Sequence, residues 1–88
     1  MDINFPAIIN TISHLQKSKK MQYVTTKRLR KIFKIPGEDL KQVRLIANTL
    51  SWLEMNKLLE LVKKYPKLYK IDPDFAEKTR TIVQIYQH

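Results

Sequence analysis

Apolar residues recur along this chain at spacings that change from stretch to stretch. From residue 4 to about 17, Phe5, Ile8, Ile9, Ile12 and Leu15 fall three and four positions apart, which predicts an amphipathic helix. Asn4 is a suitable N-cap, and Pro6 sits in the first turn, where its missing N–H is harmless. Residues 17–22 carry no apolar period and read as a basic connection. Tyr23 and Val24 are β-formers that either make a short strand or seal the core ahead of the next helix. Thr25 or Thr26 then caps a shorter helix with Leu29, Ile32 and Phe33 facing inward and Lys27, Arg28, Arg30, Lys31 and Lys34 facing out. It stops before Pro36, because a residue preceding proline is pushed out of the α region. Gly37, the only glycine, marks a tight turn beside that proline.

A third helix runs from residue 38 or 39 to about 55, with Glu38 and Asp39 at its start, where the helix dipole favours negative charge. Its inward face is Leu40, Val43, Ile46, Ala47, Leu50 and Leu53, and steps of 100° place Lys41, Arg44, Leu45, Asn48 and Trp52 opposite. Asn56-Lys57 forms a left-handed stop, with Asn the residue that tolerates positive φ. Residues 59–64 and 68–72 then read as the two strands of a hairpin turning at Tyr65-Pro66-Lys67, since proline in a helix interior would lose a hydrogen bond and clash. Asp72-Pro73 opens a last helix with Phe75, Thr79, Ile82, Val83 and Tyr86 on one stripe. The order is helix, helix, helix, hairpin, helix, without repeat or linker.

At 88 residues the chain supports one core, taken as residues 1–88 with a nucleus over 5–72 and an additional helix over 73–87. Hydrophobic residues make up 43% and charged ones 28%, a globular balance. There is no cysteine, which excludes disulfides and thiolate metal sites and leaves packing to hold the fold. The apolar runs are short and interrupted, and the N-terminus lacks an export signal pattern, so a cytoplasmic protein is expected. The net charge of +9 changes the picture more. Residues 3–37 hold no acid and eight cations, Lys17, Lys19, Lys20, Lys27, Arg28, Arg30, Lys31 and Lys34; Lys63, Lys64, Lys67 and Lys70 form a second block. Charge so localised points to a polyanionic partner, because a merely stabilising lysine excess is normally balanced by glutamate.

Three helices followed by a hairpin resemble the winged helix-turn-helix family. The run Leu50-Ser-Trp-Leu53-Glu54-Met-Asn56-Lys57-Leu58-Leu59-Glu60 looks like the end of that family's third helix and the entry to its wing, and Tyr23-Val-Thr-Thr-Lys-Arg-Leu29 looks like the entry to its second helix. The resemblance covers residues 5–72 and implies a mainly α fold with a β-hairpin wing and an extra C-terminal helix. It implies double-stranded DNA as the partner, with the third helix in the major groove and the wing on the backbone or minor groove. Carried over by residue, Lys41, Gln42, Arg44, Leu45 and Asn48 become groove-facing, with Arg44 suited to guanine and Asn48 to adenine. Lys27, Arg28, Lys31, Lys63, Lys64 and Lys67 become phosphate contacts. The stripe of the last helix packs on the first helix or on a second subunit, which makes Phe75, Ile82, Val83 and Tyr86 candidate homodimer contacts, and Trp52, a large aromatic on the outer face of the third helix, is a candidate core or partner contact.

Nothing in the chain assembles a catalytic, metal or cofactor site. His14 and His88 are the only histidines, with no cysteine or nearby acid to complete a ligand set. Ser13, Ser18 and Ser51 lack a nucleophile context, and one glycine cannot build a phosphate-cradling loop. Asp72 and Asp74 are explained as helix-capping residues. A transcription regulator or small chromatin-associated factor, associated with the nucleoid, is the leading expectation. An adaptor that docks on a replication, transcription or RNA-processing assembly is the alternative, and fold alone does not separate them. Membrane attachment is disfavoured because no fully apolar face opposes the cations. The lysine- and isoleucine-rich, cysteine-free make-up fits a thermophilic archaeon or one of its viruses.

Overall fold

A computed structural model describes residues 3–86, without the side chain of Tyr86. Its elements run α1 (Phe5–Ser18), β1 (Tyr23–Val24), α2 (Thr26–Ile32), α3 (Leu40–Met55), β2 (Leu59–Lys64), β3 (Lys67–Ile71) and α4 (Phe75–Tyr86). The three strands form one antiparallel sheet in the order β1-β3-β2. The starts of α1, α2 and α3 each follow from a capping side chain. Asn4 Oδ1 accepts from the Ala7 amide at 2.9 Å, Thr25 Oγ1 from the Arg28 amide at 3.1 Å and Asp39 Oδ1 from the Gln42 amide at 3.4 Å. Thr25 is therefore the cap of α2, and Asp39 that of α3.

The helix exits depart from expectation. Lys20, Lys34 and Lys57 all have positive φ, and the lone glycine does not. At the end of α2, the Ile35 amide donates to the Arg30 carbonyl and the Lys34 amide to the Lys31 carbonyl; at the end of α3, Leu58 donates to Leu53 and Lys57 to Glu54. These paired bonds close the last turns, and in each the left-handed position falls to a lysine. Asn56, the residue expected to go left-handed, keeps a φ of −95° and donates its side-chain amide to the Trp52 carbonyl. Gly37 serves differently: a Cβ there would lie 2.9 Å from Arg30 Nη1, so its bare backbone makes room for that guanidinium.

One hydrophobic cluster draws on every element. It comprises Ile8, Ile9, Ile12 and Leu15 of α1; Val24 of β1; Leu29 of α2 and Ile35 just after it; Ile46, Leu50 and Leu53 of α3; and Leu58, Leu59, Tyr69, Ile71 and Phe75. The buried face of α3 is turned slightly from the expected one: Thr49 is inside, its hydroxyl donating to the Leu45 carbonyl at 2.8 Å, and Leu40 is 55% exposed. Leu40 occupies the first helical position, where side chains lean back past the core edge. Ile32 is 42% exposed as well, because the closing turn of α2 carries Ile35 into the core in its stead.

Tyr23 and Val24 do form a strand, pairing with Lys70 and Tyr69 of β3. In the hairpin Leu61 pairs with Tyr69 and Lys63 with Leu68, so Val62 is the extra residue of a bulge. Tyr65 and Pro66, joined by a cis peptide bond, make the turn between the paired Lys64 and Lys67. Beyond β3, Asp72 links three elements. Its carbonyl accepts from Gln16 Nε2 of α1 at 2.7 Å, Oδ1 accepts from the Asp74 amide at 2.8 Å, and Oδ2 pairs with Lys78 Nζ of α4 at 2.9 Å. The Lys78 ammonium, then the Asp74 amide, hold the Asp72 carboxyl below its ordinary value. Asp72 thus closes a turn ahead of the helix, which begins at Phe75 rather than Pro73, and its side chain caps no amide of the helix itself.

Two stability measurements follow from these contacts. Lys57→Gly is expected to stabilise the fold by about 1 kcal/mol, as it removes the penalty of a side chain at positive φ, and to raise the urea midpoint at unchanged m-value. Asp72→Ala is expected to cost about 1 kcal/mol at neutral pH, the net worth of a lost hydrogen bond. A carboxyl whose folded pKa is depressed stabilises the fold above its ordinary pKa of 3.8, and that contribution disappears as pH falls through the folded value. The gap between wild type and Asp72→Ala should therefore narrow on acidification in a series of denaturant titrations.

Candidate nucleic-acid interface

The cations of the sequence reach the surface on three elements. On α2, a helix of 7 residues, Lys27, Arg28 and Lys31 are exposed, while Arg30 is half-buried against Gly37. On the hairpin, Lys63, Lys64 and Lys67 are exposed, and Lys64 stands directly opposite Lys67 across the turn. Like charges in facing positions destabilise a hairpin. On α3, Lys41, Arg44 and Asn48 are exposed on consecutive turns. Among the described residues the single ion pair is Lys78–Asp72, at the far end of β3 from the hairpin turn.

These elements converge. An open depression is bordered by Thr25, Thr26, Lys27 and Arg30 of the α2 entry, Val43 of α3, and Pro66 and Lys67 of the hairpin tip. A neighbouring one continues along α2, bordered by Tyr23, Lys27, Arg28, Lys31 and Leu68. Lys27 belongs to both, so α2 and the hairpin tip share a continuous basic border. A third depression on α3 is lined by Ile3, Lys41, Gln42, Arg44, Leu45 and Asn48.

Two of the groove-facing residues are placed otherwise than expected. Gln42 turns toward the chain itself: its Nε2 donates to Asp39 Oδ2 at 2.6 Å, and its Oε1 accepts from the Ile3 amide at 3.0 Å. With both ends of its amide engaged, Gln42 pins the N-terminal segment to the start of α3 and presents no free edge to a base. Leu45 is half-buried and packs against the core. Both corrections have one cause, the turn of α3 toward Thr49, which brings positions 42 and 45 under the N-terminal segment. Lys41, Arg44 and Asn48 remain at the centre of the outer face.

The residues marked for a partner divide in the same way. Phe75 is wholly enclosed in the core and cannot serve a second subunit. Ile82 and Val83 are half-buried against the core, and the Tyr86 side chain and His88 lie outside the described residues. Trp52 is 37% exposed and meets Phe5 edge to face, with ring centroids 5.1 Å apart. Such a pair is stabilising beyond its buried area, so Trp52 is largely employed within the chain. Arg30, read from the sequence as one more outward cation, has a distinct place at the α2–hairpin depression; its signal was the glycine seven positions on.

No protein-family model matches the sequence, and no curated protein or solved structure matches it either. No helix among the described residues is long and apolar enough to cross a membrane.

Gln42→Ala tests the structural assignment of that side chain. It is expected to destabilise the fold by about 1 kcal/mol, the net worth of such a hydrogen bond, and to speed hydrogen exchange at the Ile3 amide. An unchanged stability and exchange rate would return Gln42 to the outer face.

Proposed function

We propose that this chain is a non-catalytic winged helix-turn-helix protein that binds double-stranded DNA, with α3 in the major groove and the β2–β3 hairpin as its wing. The element order and the β1-β3-β2 sheet support that reading of the fold. The observation that carries the function is the depression where α2, α3 and the hairpin tip meet, bordered by Lys27, Arg30 and Lys67 with no acid in its lining. Concentrated like charge is costly to the folded chain and is relieved by a polyanion. In this arrangement Lys41, Arg44 and Asn48 face the bases, while Lys27, Arg28, Lys31, Lys63, Lys64 and Lys67 hold phosphates. Asp39 caps α3, its carboxylate accepting from the Gln42 amide and side chain at the positive end of the helix. A regulator or architectural factor of the nucleoid is the role that follows. Should two copies associate through α4, the contact would fall to the exposed Ile85 and the outer edges of Ile82 and Val83.

One feature favours an adaptor instead: Met55, one turn beyond Trp52, is exposed and extends an apolar patch at the end of α3. Fluorescence anisotropy of a labelled duplex over a range of salt concentrations decides between them. Binding is expected to weaken steeply with salt, the logarithmic slope to fall by about 1 in Lys27→Ala, and affinity to drop about tenfold or more in the Lys41→Ala/Arg44→Ala double variant. Absence of duplex binding at low salt would overturn the DNA reading and leave the apolar end of α3 as the docking surface.

A further inference from the structure

The tip of the hairpin carries a side chain that the duplex-binding arrangement does not use. Tyr65 is 87% exposed, the largest exposure of any aromatic residue in the chain's described part. It occupies the first of the two turn positions between Lys64 and Lys67, whose pairing holds the tip in register. Lys63 and Lys64 precede it at the end of β2 and Lys67 follows at the start of β3, all exposed. A large aromatic ring left in water gains nothing for the fold, and an ordinary solvent-facing turn is served as well by a small polar residue. The tip presents an exposed π-face on a turn flanked by three exposed lysines. That combination matches a nucleotide, whose base offers a face for stacking and whose flanking phosphates offer negative charge.

In a continuous duplex both faces of every internal base are covered by its neighbours. A ring on a projecting hairpin therefore stacks only where a base face is uncovered, at a gap, an unpaired nucleotide or a step that is readily opened. We infer that Tyr65 is a base-stacking residue and that the protein prefers DNA with an unstacked or unpaired base over an uninterrupted duplex. This inference rests on the nucleic-acid reading above and adds to it the structural class of DNA recognised.

The test compares two labelled DNAs of one sequence: a relaxed, covalently closed circular duplex, which has neither an end nor a loop and so no uncovered base face, and the same molecule with a single unpaired thymidine. Each is titrated with wild type, Tyr65→Ala and Tyr65→Phe at fixed salt. Wild type is expected to bind the interrupted DNA about tenfold more tightly, within the range that aromatic–base stacking supports. Tyr65→Ala should lose that preference while keeping its affinity for the closed duplex, and Tyr65→Phe should retain it. Tyr65 is exposed in a turn, so neither variant threatens the fold. A wild type without preference, or a preference that survives Tyr65→Ala, overturns the stacking inference while leaving duplex binding standing. Failure of wild type to bind either DNA overturns both readings.

Discussion

The enclosure of α1 from more than one side is the constraint on which the rest of the molecule depends. Ile8, Ile9 and Ile12 are without exposed surface, and residues 8 and 9 in succession point in directions about 100° apart. A single neighbouring helix cannot cover both. α3 and α4 pack against α1, and the sheet closes the core with Val24, Tyr69 and Ile71. Each fully buried aliphatic side chain contributes about 1.5–3 kcal/mol, a large share of the stability available to so small a chain. α4 is accordingly a wall of the core rather than an appendage, which is why Phe75 is consumed inside the chain.

Fixing α1 also fixes what α3 presents. With Ile46, Thr49, Leu50 and Leu53 turned in, the helix period leaves Lys41, Arg44 and Asn48 on the outside and rolls Gln42 and Leu45 beneath the N-terminal segment. Thr49 is tolerated inside because its hydroxyl bonds to the backbone carbonyl one turn earlier, so no buried polar group goes unpaired. The outer face of α3 is thus narrower and more polar than a helical projection drawn from the apolar residues alone.

Charge is distributed around this core rather than within it. Asp72 gathers α1, β3 and α4 through one carbonyl and one carboxylate, away from the hairpin tip. The cations of α2 and the hairpin are brought beside one another by β1, whose pairing with β3 sets the start of α2 against Leu68 and Lys67. A strand of two residues, Tyr23 and Val24, is therefore what unites two basic blocks separated by about thirty residues of sequence. Three lysines in left-handed helix exits show the same priority of packing over local preference: the closing hydrogen bonds and the burial of Ile35 and Leu58 outweigh a conformational cost of about 1–2 kcal/mol each.

Local chemistry determined much of this molecule in advance. The cap Asn4, a threonine cap at 25 or 26, acidic residues at the start of the third helix, the break at Pro36, the hairpin at Tyr65-Pro66 and the two basic blocks were all legible in the sequence, because each depends on residues within a few positions of one another. Tertiary structure decided the rest. Which way α3 rolls, that Gln42 holds Ile3 instead of facing outward, that Phe75 belongs to the core, and that Lys27, Arg30 and Lys67 border one depression all require elements distant in sequence to meet. A helical period gives the angle between side chains but no absolute orientation, and only the competition of several apolar faces for one core sets that orientation.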